Sequence, residues 1–198
     1  MKRVLLGLKF IVNFIIKPSS SYFSVVEKVC LKELDKHPND LFVMYFLADH
    51  YVQYKKYDEA HILLESLLQQ DADRKEVILL LSKVYFNLQK YKQVKQLFVN
   101  FDVLSDKDIA NYYLGYSLVE LEKRDEGIKY LNRYLKHHPK DYNVFAIVGY
   151  QYYKEKMYDL ALEAYRQAEK LNPSKKEITD SINLCKEMIE KTTGNTVH

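Results

Sequence analysis

Phe145-Ala-Ile-Val148-Gly149-Tyr-Gln-Tyr152, then Tyr158-Asp-Leu-Ala161-Leu-Glu-Ala-Tyr165-Arg-Gln-Ala168, and finally Pro173 decide the fold of this 198-residue chain. In the first run Phe145, Val148, Gly149 and Tyr152 are spaced to share one helical face, and in the second Tyr158, Ala161, Tyr165 and Ala168 do the same. Pro173 has no amide hydrogen to give a helix and pushes Asn172 out of helical dihedrals, so the second helix ends before it. The small residues and the proline recur 34 residues earlier, with Gly115 for Gly149, Gly127 for Ala161 and Pro139 for Pro173. A period of that length marks stacked helix pairs, because no single pair can bury its apolar face alone. Gly149 and Ala161 then stand where the helices of a pair approach closely, and Ala168 faces the next repeat.

Outward from this unit, the columns fall on Asn111, Leu114, Gly115, Leu118, Gly127, Leu131 and Tyr134, then on Ile78, Leu81, Ser82, Tyr85, Tyr91, Val94, Phe98 and Phe101. The first complete copy carries Met44, Leu47, Ala48, Tyr51, Tyr57, Ala60, Leu64 and Leu67. The pattern resembles the tetratricopeptide consensus, with Phe145, Val148 and Tyr165 where that consensus has Trp, Leu and Phe. The fold expected is all-α, a right-handed superhelical solenoid of antiparallel helix pairs, with repeats at 41–74, 75–107, 108–141 and 142–174. Val94 in place of alanine, and no proline after it, predict looser packing in the second repeat.

A degenerate half repeat at 22–40 precedes them. There Val26, Cys30 and Leu34 lie at helical spacing, and His37-Pro38-Asn39-Asp40 echoes His138-Pro139-Lys140-Asp141. Ser174-x-x-Glu177 reads as a capping box opening a final helix at 175–190, whose Ile178, Ile182, Cys185 and Ile189 form one narrow stripe, followed by a disordered tail at 191–198. Helices are expected at 41–54, 57–70, 75–88, 91–102, 108–121, 124–137, 142–155, 158–171 and 175–190. With no linker rich in Gly, Ser or Pro, one uninterrupted array is expected.

The formal charge of +3 comes from 30 basic and 27 acidic residues that are evenly mixed, so nucleic acid is not an expected partner. His37, His50, His61, His137, His138 and His198 form no His-Glu-x-x-His motif and pair with no cysteine at metal spacing. His137 and His138 suit the end of a helix, where a cation meets the dipole favourably. There is no Gly-x-Gly-x-x-Gly, P-loop or Gly-x-Ser-x-Gly run, and carboxylate pairs such as Asp58-Glu59 fall on helix surfaces or turns. A non-enzymatic protein without cofactor or metal is expected. Cys30 and Cys185 read as small core residues in a reducing compartment.

Residues 1–21 stand apart. Lys2, Lys9, Asn13 and Lys17 fall on one side of a helical wheel, and an apolar run that includes Phe10 and Phe14 fills most of the rest. That run is shorter than the roughly 20 residues needed to span a bilayer. Three roles are open to it: packing over the end of the first repeat, lying on an anionic membrane surface, or serving as a signal or anchor. Lys9 and Asn13 inside the run, and no small-x-small cleavage site, weigh against secretion. On the membrane reading Lys2, Arg3, Lys9, Lys17, Phe10 and Phe14 face the lipid.

The resemblance implies that the first helix of each pair lines a concave groove. Its columns run Tyr45, Leu79, Tyr112, Ala146; Asp49, Lys83, Tyr116, Tyr150; Val52, Phe86, Val119, Tyr153; and Gln53, Asn87, Glu120, Lys154. Tyr45, Asp49, Lys83, Phe86, Tyr112, Tyr116, Tyr150, Tyr153 and Lys154 are the candidate contacts, with Tyr112, Tyr116, Tyr150 and Tyr153 stacked at one end. Tyrosine offers large contact area with little rotamer entropy to lose, although tyrosines also fill the interior of such repeats. The Lys, Arg and Asn clamp by which some family members hold a chaperone's C-terminal carboxylate is missing: its columns carry Tyr45, Phe46, Leu79, Leu80, Ile109 and Tyr113, with Asp49 in place of Asn. The function expected is a protein-interaction scaffold for an apolar or aromatic-rich segment of a protein partner. The alternative is a membrane-peripheral assembly factor recruited by its N-terminal helix and self-associating through its repeats. The expected location is cytoplasmic, with peripheral membrane attachment on the second reading.

Overall fold

A computed structural model describes residues 20–70, 74–100 and 109–194. Ten helices and no strand occur among the described residues: α1 (Ser20–Lys36), α2 (Leu41–Gln53), α3 (Tyr57–Gln70), α4 (Lys75–Asn87), α5 (Tyr91–Asn100), α6 (Ala110–Glu120), α7 (Arg124–His137), α8 (Tyr142–Lys154), α9 (Tyr158–Leu171) and α10 (Lys176–Gly194). The chain divides into two compact units, with the boundary between Val103 and Leu104. That boundary closes the repeat that lacks both the small residue at Val94 and the terminal proline.

In the first unit α1 serves as the second helix of a half repeat and buries Val26 and Cys30 completely. Burial raises the Cys30 thiol to about 11, as suits an inert core cysteine. Phe23 of the same helix stacks on His50 at 5.0 Å, and the Lys56 ammonium sits 4.3 Å above the Phe23 ring. Asp40 caps α2, its carboxylate accepting from the amides of Phe42 at 3.0 Å and Val43 at 3.1 Å. Ala48 of α2 and Ala60 of α3 are both fully buried. Leu47, Leu64 and Leu67 fill the space beside them, and Val77, Ile78 and Leu81 extend that core into α4.

In the second unit α6 and α7 cross almost backbone to backbone. A Cβ on Gly127 would stand 2.7 Å from the Gly115 carbonyl oxygen and 3.0 Å from the Val119 amide nitrogen. Gly149 meets a side chain instead, with the Tyr165 ring 3.1 Å from where its Cβ would be. Asp141 caps α8 as Asp40 caps α2. Ala168 packs against Ile178, Ile182 and Cys185 of α10, so the apolar stripe of the last helix closes the core of the fourth repeat.

The turn inside each pair has a recurring construction. Lys55, Gln89, Glu122 and Lys156 all adopt positive φ, between 56° and 61°. In each, the amide of the positive-φ residue bonds back three residues and the next amide bonds back five, as in Lys156 N–H to Tyr153 O at 3.0 Å and Met157 N–H to Tyr152 O at 2.9 Å. These are Schellman caps without glycine, and they end the first helices one residue short of the expected 54, 88, 121 and 155. Helix α6 starts at Ala110 rather than 108.

The capping box at Ser174 does not form. The Ser174 hydroxyl donates to Asn172 Oδ1 at 2.8 Å, and α10 starts at Lys176. The helix runs four residues past its expected end at 190, so 191–194 are helical rather than a disordered tail; the remaining 195–198 lie outside the described residues. Lys191 bonds Glu187 at 2.6 Å on that added turn.

Candidate functional site

The second unit holds a cleft of about 480 Å³. Helix α6 gives one wall through Tyr116, Val119 and Glu120, and α8 gives the floor through Asn143, Ala146, Ile147, Tyr150 and Gln151. Tyr165 closes the base, and Glu177, Ile178 and Ser181 of α10 form the far wall. The cleft thus lies along first-type helices, with α10 standing where a fifth repeat would put its own. Its size falls within the roughly 300–1,000 Å³ usual for ligand clefts.

Of the four stacked tyrosines, only Tyr116 and Tyr150 line it. Tyr150 is half exposed, at 50%. Tyr116 is held by a hydrogen bond to Glu120, and its hydroxyl pKa is raised by burial first and by the Glu120 charge second. Tyr112 keeps contact with Tyr116, centroids 6.2 Å apart, but lies nearer Tyr134, at 5.4 Å, and packs on the core between α7 and α8. Tyr153 leans on Tyr158 at 5.4 Å and on the core under α10. Lys154 stands at the cleft's edge, its ammonium 5.3 Å over the Tyr150 ring.

The first-unit candidates are occupied by their neighbours. The Arg74 guanidinium sits 5.0 Å over the Tyr45 ring, Asp49 accepts from Gln53 at 3.0 Å, and Phe86 meets Tyr91 edge-on at 6.3 Å. Lys83 is exposed. The membrane-facing candidates Lys2, Arg3, Lys9, Lys17, Phe10 and Phe14 lie outside the described residues. Among the described residues no helix is long and apolar enough to cross a membrane, and no three His, Cys, Asp or Glu side chains converge as metal ligands would.

Sequence reasoning missed Gln151, Tyr165, Glu177 and Ser181. Gln151 is the most informative of these, being only 5% exposed while forming no side-chain hydrogen bond to any described residue. Its column runs His50, Val84, Ser117, Gln151, all buried, so a long polar side chain on a core face was the available signal. Tyr165 has its hydroxyl pKa raised to about 12, chiefly by burial, with a Ser181 hydrogen bond opposing the rise.

The sequence matches the family described as anaphase-promoting complex, cyclosome, subunit 3 over residues 53–134, less than half of the chain. No curated protein matches it. Among solved structures, MamA MSR-1 C2 is similar at a TM-score of 0.71 and 22% identity, over 87% of this chain and 94% of that one. MamA AMB-1 C2221 is similar at a TM-score of 0.68 and 24% identity, over 76% of this chain and 89% of that one. YrrB, described as a TPR protein with an unusual peptide-binding site, is similar at 0.67 and 17%, over 81% and 88% respectively. The chain has the tetratricopeptide-repeat fold.

Proposed function

We propose that this chain is a non-catalytic interaction scaffold that holds a segment of a protein partner in the α6–α8–α10 cleft. The observation that carries the reading is the cleft itself: two tyrosines presented from successive first-type helices, apolar flooring from Ala146 and Ile147, and the Gln151 amide lining it. Aromatic groups beside a few placed polar groups are the composition of a recognition site. The likeness to a repeat protein described by its peptide-binding site supports a peptide-like ligand.

The test is the Y116A/Y150A double variant, compared with the parent for helicity and for affinity toward a partner captured on the full-length chain. Both side chains face the cleft, so the circular dichroism spectrum is expected to stay unchanged while affinity falls by about tenfold to a hundredfold. A variant that binds as tightly as the parent moves the interaction surface elsewhere.

A further inference from the structure

The charges that line the cleft are one-sided. Glu120 and Glu177 both line it, and no lysine or arginine does. Neither carboxylate takes part in an ion pair with any described residue. The Tyr150 ring face already draws an ammonium, that of Lys154 at 5.3 Å, from the edge of the site. Aromatic faces beside unneutralised carboxylates in a partly desolvated cleft favour a cation. At the floor the Gln151 amide offers one acceptor and two donors, a set that matches the N–H and C=O of an extended backbone. No described residue pairs with this amide, and it lines the cleft, so both its acceptor and its donors are open to a ligand.

We propose that the cleft takes an extended peptide segment bearing a lysine or arginine side chain, which lies against Tyr116 and Tyr150 between Glu120 and Glu177 while Gln151 pairs with the peptide backbone. This rests on the scaffold reading above and narrows it: the partner segment is basic at one position, with apolar neighbours for the rest of the floor. Charge complementarity identifies the occupant. An acidic segment, or a free C-terminal carboxylate, would meet two like charges in the lining, with Lys154 only at the edge.

The experiment selects random dodecapeptides displayed on phage against the full-length chain and titrates the recovered peptides, fluorescein-labelled, by anisotropy. Recovered peptides are expected to share a lysine or arginine at one position. Replacing that residue with norleucine, which keeps the aliphatic length and removes the charge, should weaken binding about tenfold. E120Q/E177Q should weaken the basic peptide by a similar factor and leave the norleucine peptide almost unaffected, closing a double-mutant cycle. Q151L should weaken both peptides without lowering thermal stability. Peptides that depend on Tyr116 and Tyr150 but show no basic position, or that ignore E120Q/E177Q, overturn this inference and leave the scaffold reading standing. Recovery of no peptide that depends on the two tyrosines overturns both.

Discussion

Replacing Gly127 with alanine adds one methyl group where α6 and α7 touch, and its cost can be worked from the crossing. The new Cβ would stand 2.7 Å from the Gly115 carbonyl oxygen, 2.7 Å from Val119 Cγ2 and 3.0 Å from the Val119 amide nitrogen. Two of those atoms are backbone, so no rotamer change relieves them and the helices must separate. Overpacking of this kind costs about 1–3 kcal/mol, against a gain of up to about 1 kcal/mol from alanine's helix propensity. The net loss is about 1–2 kcal/mol. Gly149→Ala is the matched control: its nearest atoms are Tyr165 ring carbons at 3.1–3.2 Å, a side chain that can tilt. There the propensity gain and the packing cost nearly cancel, within about 0.5 kcal/mol. Thermal unfolding followed by circular dichroism should place Gly127→Ala about 5–10 °C below the parent and Gly149→Ala close to it, given the usual response of domains under 100 residues. A Gly127→Ala variant as stable as the parent, or a Gly149→Ala variant that loses more, would refute the backbone crossing.

Two further outcomes follow from the caps and from His50. Glycine at Lys156, whose φ is 60°, should stabilise the second unit by about 1 kcal/mol, read as a higher denaturation midpoint in urea with an unchanged slope. His50, buried under Phe23, has its pKa lowered from 6.5 chiefly by burial, although the Phe23 carbonyl hydrogen bond opposes the shift. The unfolded chain therefore binds the proton more readily, and stability should fall as pH drops below about 6.5 toward the depressed folded value. H50F should flatten that part of the pH–stability curve, and an equally steep slope in the variant would place the titration elsewhere.

The fold was legible because packing limits show as residue size: Gly115, Gly127 and Ala161 are small wherever two helices come close, and Pro139 and Pro173 stand just past helix ends. The turns were not legible, since Lys55, Gln89, Glu122 and Lys156 take the left-handed conformation without the glycine that would announce it. At the site, column spacing brought out Tyr116 and Tyr150 but could not separate them from Tyr112 and Tyr153. On a helix the groove face and the stacking face lie one residue apart, and only the positions of Tyr134, Tyr158 and α10 decide which way a ring turns. Ser174 shows the same limit at short range: its hydroxyl turns to donate to Asn172 Oδ1 and accepts from no helix amide.

The most direct measurement is site-specific photo-crosslinking in the second unit, with p-benzoylphenylalanine placed at Tyr150 in the cleft or at Glu163 on the exposed side of α9, followed by mass spectrometric mapping of the joined peptides. A cleft that holds a partner segment predicts a partner peptide joined at position 150, one that disappears when Tyr116 is also replaced by alanine, and none at position 163. Crosslinks at 163 with none at 150 would contradict the account.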